Sequence, residues 1–172
     1  MQIVRRFAAV ALVAAFATPV FAAEPPTPPK PGPEHELFKK MEGTWEFTMK
    51  GEGFETKGTT SSKLELGGLW LVGSMKCDLG FEGKSLDTYD ATKKVYRSVW
   101  IDSMSAMPMV MEGNFDKEKK ALTMTGDGPD MTGKVVKWKS VATMPDNDTI
   151  NFVMYVGDAK EPMFTIIYKR KK

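Results

Sequence analysis

The chain of 172 residues contains one cysteine and one histidine, and each scarcity excludes something. Cys77 has no partner for an intrachain disulfide, so stability has to come from a packed core. On burial habits Cys77 reads as a small core side chain rather than a reactive thiol. His35 precedes every strand-like run, and no serine elbow or catalytic-cysteine signature accompanies it, which leaves nucleophilic catalysis unsupported. The glycine patterns that cradle phosphates or dinucleotides are absent. Strand-like and helix-like stretches do not alternate, so a parallel sheet is not expected. The apolar run over residues 7–16 is well short of the roughly 20 residues that a membrane-spanning helix needs.

An excess of one charge is also missing. Arg5-Arg6, the apolar run, and Thr18-Pro19 ahead of Val20-Phe21-Ala22 read as a secretory signal over residues 1–22. Its removal takes away Arg5 and Arg6 and no acid, so the formal +2 of the whole chain falls to zero. A neutral domain offers no strong field for nucleic acid or an anionic membrane. The expected location is periplasmic or secreted, with no membrane attachment after cleavage. The surviving basic patch, Lys169-Arg170-Lys171-Lys172, reads as a solvated end. Oligomeric state is not legible.

Residues 23–34 are proline-rich and read as an extended tether. Residues 34–41 suit two helical turns with an apolar stripe of Leu37, Phe38 and Met41, enough to cap one mouth of a barrel. Gly43-Thr44-Trp45 then opens the first of about ten strand-like runs. Trp45, Phe47 and Met49 alternate with Glu46, Thr48 and Lys50, which is the period of a half-buried strand. Trp45 reads first as a core residue, placed to plug one end.

The remaining runs cover 58–66, 69–77, 81–89, 94–102, 106–115, 121–126, 133–144, 149–156 and 162–170. Turn residues such as Asp90-Ala91-Thr92-Lys93 and Pro145-Asp146-Asn147-Asp148 separate them. Short strands at regular spacing argue for an all-β meander, and closing it into an up-and-down barrel deals with its edges. The expected domain is a closed antiparallel barrel over residues 35–172 with a short N-terminal capping helix. At this strand number the interior holds a small ligand unless large side chains fill it. The 10 Phe, 4 Trp, 4 Tyr and 13 Met are available to do so.

Two groups of residues carry possible chemistry. Met104, Met107, Met109 and Met111 lie close together, three of them alternating on one strand face. Thioethers suit Cu(I), but neighbours on one face stand about 7 Å apart, and Met equally lines adaptable apolar pockets. The second group is Asp87, Asp90 and Asp102. Asp90 is explained by its turn. Asp102 shares parity with Tyr96, Ser98 and Trp100, and Arg97 lies on the other face. If that first face points inward, Asp102 is a polar anchor in an aromatic pocket. If it points outward, Val95, Val99 and Ile101 form the core face. Periodicity leaves both open.

Several blocks, in order, resemble the bacterial domain-of-unknown-function family fifteen-seventy-nine. They are Glu42-Gly43-Thr44-Trp45, Leu66-Gly67-Gly68-Leu69-Trp70-Leu71, Tyr89-Asp90-Ala91-Thr92-Lys93-Lys94-Val95-Tyr96, Trp100-Ile101-Asp102-Ser103-Met104, Met111-Glu112-Gly113-Asn114-Phe115-Asp116 and Leu122-Thr123-Met124-Thr125-Gly126. The resemblance spans nearly all of residues 35–170. It implies a calycin-like barrel of the lipocalin and nitrobindin type and brings no established activity. The lipocalin likeness implies that a late basic residue, Arg170, covers Trp45. Nitrobindin-like barrels hold haem through a histidine late in the chain. The single histidine here lies at the other end, so no cofactor is expected.

The reading is an exported barrel that binds a small apolar or amphipathic molecule. Trp45, Trp70, Trp100, Met107, Met109, Met111 and Trp138 would line the site, with Asp102 as a polar contact. The alternatives are a Met-rich copper-handling protein, an enzyme using barrel carboxylates, and a filled structural barrel with surface partners.

Overall fold

The structure is a computed structural model and describes residues 27–130 and 132–172. The expected signal, residues 1–22, lies outside the described residues, and so do the first residues of the tether. Among the described residues no helix is long and apolar enough to cross a membrane.

A 3-10 turn, Pro33–His35, leads into the helix α1, Glu36–Met41. Ten strands follow: β1 Gly43–Gly51, β2 Phe54–Glu65, β3 Trp70–Cys77, β4 Glu82–Asp90 and β5 Val95–Asp102. The second five are β6 Ser105–Asp116, β7 Ala121–Pro129, β8 Val135–Asp146, β9 Thr149–Val156 and β10 Phe164–Arg170. Each strand pairs antiparallel with its neighbours in sequence, and β10 returns to β1 with Trp45 opposite Arg170. The sheet is a closed barrel, which removes every exposed edge.

Closure needs strong local bending, and glycine supplies it where strands crowd. A Cβ on Gly126 would run into the Val110 carbonyl oxygen and sit 2.7 Å from Met111 Cα. Gly43 enters β1 at φ 124°, a conformation that side chains rarely adopt, and so lets α1 turn sharply into the first strand. Asp residues start the hairpin turns. Asp90 Oδ1 accepts from the Thr92 and Lys93 amides, Asp116 Oδ1 from Glu118 and Lys119, and Asp102 Oδ1 from Met104 and Ser105. These side chains satisfy turn amides that the ladder cannot reach.

One end of the barrel is closed by α1. Phe38 and Leu37 are buried against Trp45, Tyr96, Leu122, Met144 and Ile150. Burying side chains of this size stabilises the fold by roughly 1.5–3 kcal/mol each. Trp45 Nε1 donates to the Met41 carbonyl at 3.0 Å. The Arg170 guanidinium lies 4.0 Å over the Trp45 ring. The same group donates to the Glu42 carbonyl at 2.7 Å and the Lys40 carbonyl at 2.6 Å. One side chain therefore satisfies carbonyls at the helix C-terminus and covers the indole. His35 is buried in this floor beside Phe38 and Tyr89, and its Nδ1 accepts from the Gly32 amide at 3.1 Å.

Candidate functional site

Register decides what faces the lumen. Trp45, Phe47 and Met49 of β1 are on the inner side. Carrying that side from strand to strand through the pairings assigns every other inward position. On β6 to β10 and β1 the inner wall is built mainly of large apolar side chains, with Ser140 and several glycines among them. Met111, Met124, Trp138, Met154, Ile166 and Phe47 are buried there. Trp138 Nε1 donates to the Gly128 carbonyl at 3.3 Å, so its polar edge is satisfied within the wall.

The inner wall of β2 to β5 is mixed: Leu71, Met75 and Tyr96 are buried on it, but a polar stripe lies among them. Across it run Thr60 and Ser62 on β2, Gly73 on β3, Ser85 and Asp87 on β4, and Ser98 on β5. Ser62 pairs with Gly73, Gly73 with Ser85, and Asp87 with Ser98. Gly73 leaves the space that the hydroxyls occupy: a Cβ there would meet Ser85 Oγ at 2.5 Å and Ser62 Oγ at 3.4 Å. Asp87, Ser85 and Ser98 keep part of their surface free although they face inward. In a closed barrel that free surface belongs to the lumen.

Burial pushes the Asp87 carboxyl above its ordinary value of 3.8, and the neighbouring Ser98 and Ser85 hydroxyls draw it back in part. Tyr168 faces the same lumen from β10. Burial raises that phenol, and the Asp87 charge raises it further. Tyr96, nearer the floor, is pushed up to about 12, chiefly by burial. Its hydroxyl donates to the Glu34 carbonyl at 3.0 Å and ties the wall to the cap.

The expected site residues divide. The face of Tyr96, Ser98, Trp100 and Asp102 points inward, while Val95, Arg97, Val99 and Ile101 are on the outer wall. Trp100 lies across Gly83, stacks on Phe81 at 6.2 Å, and donates Nε1 to Asp102 Oδ2 at 2.8 Å. Asp102 is thus at the open rim with one oxygen on Trp100 and the other in its turn. Met109, Met111 and Trp138 face inward beside these residues. Trp45 is inward but belongs to the floor.

Trp70 does not line the lumen. Leu71 takes the inward position, and Trp70 stands on the outer wall in a shallow depression of about 400 Å³ with Leu86, Thr88, Asp90, Arg97 and Val99. Met107 does not continue the inner Met row either. The β5–β6 register shifts between Trp100 and Asp102, and opposite that bulge Met107 is left 45% exposed at the rim. Cys77 is half-buried on the inner face rather than fully enclosed. A second groove, about 530 Å³, runs outside the capped end along α1 past Trp45, Tyr89 and Lys117.

The three carboxylates do not assemble into one group. Asp87 is at mid-lumen and Asp102 at the rim. Asp90 is on the outer wall, 3.8 Å from Arg97. Among the described residues no cluster of three or more His, Cys, Asp or Glu is placed to hold a metal ion. Sequence reasoning missed Ser62, Gly73, Ser85 and Tyr168, named Ser98 only as sharing a face with Asp102, and weighed Asp87 only as one member of a carboxylate group.

A ten-stranded closed meander, plugged by a helix and an arginine-covered tryptophan, defines an up-and-down antiparallel β-barrel. The match to the family described as a protein of unknown function, DUF1579, covers residues 30–170, and the chain belongs to that family. No curated protein matches the chain. Among solved structures, Rv2717c from M. tuberculosis has a similar fold, with a TM-score of 0.63 and 11% identity over 82% of this chain and 99% of that one.

Proposed function

We propose that this protein is an exported binding barrel that takes a small amphipathic molecule into its lumen. The observation that carries the reading is the unequal inner wall: a partly free stripe of hydroxyls and one carboxylate opposite a surface that is mainly apolar, with Ser140 its one buried hydroxyl. A carboxylate in that position destabilises the empty barrel, because desolvation of a charge costs more than two serine hydroxyls return. A bound molecule with a polar end and an apolar body satisfies both walls at once. Trp100, Met109, Met111 and Trp138 supply apolar contact, and Asp102 sets the rim. Export follows from the signal read over residues 1–22.

Native mass spectrometry on protein purified from its own host tests this directly. The expected result is a co-purifying organic mass that is released on denaturation. A stoichiometric copper mass, or a bare protein that also fails to take up added amphiphiles, would overturn it.

A further inference from the structure

From the charge inventory of the lumen we infer that the ligand's polar end is a cationic amine held by Asp87. This rests on the binding reading above and adds the chemistry of the head group. Within the ten strands no lysine or arginine other than Arg170 takes a lumen-facing position. Arg170 is at the closed end, spent on Trp45 and on the carbonyls of Lys40 and Glu42. Among the described residues no lysine or arginine forms an ion pair with Asp87.

The groups around Asp87 are suited to the same guest. Ser62, Ser85 and Ser98 bring hydroxyl oxygens to the same patch, and an ammonium has three N–H donors to share among such acceptors and a carboxylate. Trp100, toward the rim over Gly83, and Tyr168, on β10, present aromatic rings to the same lumen, and such rings attract cations. Asp102 adds a second negative charge at the rim on the same inner face, so the field along the open half of the lumen favours a cation over an anion. A carboxylate guest would meet two like charges there and no free base.

The test uses three eight-carbon probes that share one tail: octylamine, octan-1-ol and octanoate. Each is titrated into the mature protein by calorimetry. The expected order is amine tightest, alcohol weaker by about tenfold or more, and octanoate weakest, as a charge-assisted pair in a water-poor site requires. Asp87→Asn and Asp87→Ser should both abolish the amine's advantage, so that octylamine binds each variant no more tightly than octan-1-ol binds that same variant. If both variants keep the amine preference, or octanoate binds wild type as tightly as octylamine, the inference is overturned while lumen binding stands. If none of the three binds, the binding reading falls, and this inference with it.

Discussion

The inner wall of β6 to β10 with β1 and the inner wall of β2 to β5 are made from the same ladder, at the same height, and do opposite things. The first places Met111, Met124, Trp138 and Met154 on its inner face, with Gly126 and Ser140 between them, and buries all four. The second places Ser62, Gly73, Ser85, Asp87 and Ser98 at matching positions and leaves most of them partly free. One wall gives up water on folding and supplies stability. The other lines the lumen with a carboxylate and hydroxyls that bond one another, and the part of their surface left free is tolerable where water or a guest reaches it. A barrel lined all round like the first would be a filled core. The polar stripe is thus confined to one side of the lumen, while the packed core continues past it through Leu71, Met75 and Tyr96.

That division can be broken most forcefully from the apolar side. Trp138→Ala should lower unfolding free energy by roughly 3–5 kcal/mol, measured by denaturant titration, because a fully packed indole leaves a cavity the wall cannot collapse into. Gly126→Ala should cost about 1–3 kcal/mol, since its new methyl meets the β6 backbone rather than a yielding side chain.

On the polar side the sign reverses. Asp87→Asn should stabilise the empty barrel at neutral pH by on the order of 1 kcal/mol, discounted for water in the lumen. Burial holds the native acid above 3.8, so between 3.8 and the native value the folded state keeps a proton that the unfolded state has lost. Wild-type stability then falls as pH rises through that window. The advantage of the Asn variant is present at neutral pH and disappears below about pH 3.8. The turn acids Asp90, Asp116, Asp130 and Asp146 are held low mainly by hydrogen bonds and act in the other direction, losing stability as pH drops below 3.8. They are common to both proteins, so the difference between the two pH curves isolates Asp87. Smallest of all, Ser62→Ala should change stability by less than about 0.5 kcal/mol. A loss of several kcal/mol there would mean that the polar wall is structural after all.

The strands were legible in the sequence because turn residues and period-2 alternation agree along most of the chain. The run over 149–156 matches β9 without a shift, and the capping helix and the Trp45–Arg170 contact are where the reading put them. The site was less legible, and β4 shows why. Its one aliphatic residue, Leu86, is 42% exposed on the outer wall, while Asp87 faces the lumen. Hydrophobicity assigns faces by assuming that the inside is apolar, and a polar lumen inverts that assumption. The inner row of β4 reads Gly83, Ser85, Asp87, Tyr89, which from sequence looks solvent-facing. Trp70 was misplaced by the complementary error, since a large aromatic adjoining Leu71 competes with it for the inward side and register awards it to Leu71. Met107 shares parity with Met109, and only a bulge, invisible in one sequence, takes it out of the row.

The most direct measurement is NMR of the methionine methyl groups during titration with octylamine. Met109, Met111 and Met154 face the lumen, whereas Met104 is 66% exposed in the β5–β6 turn. The account predicts saturable shifts at the three lumen methyls, absent in Asp87→Asn at the same concentration, with Met104 unmoved. Shifts confined to Met104, or lumen methyls that stay fixed while the probe binds elsewhere, would contradict it.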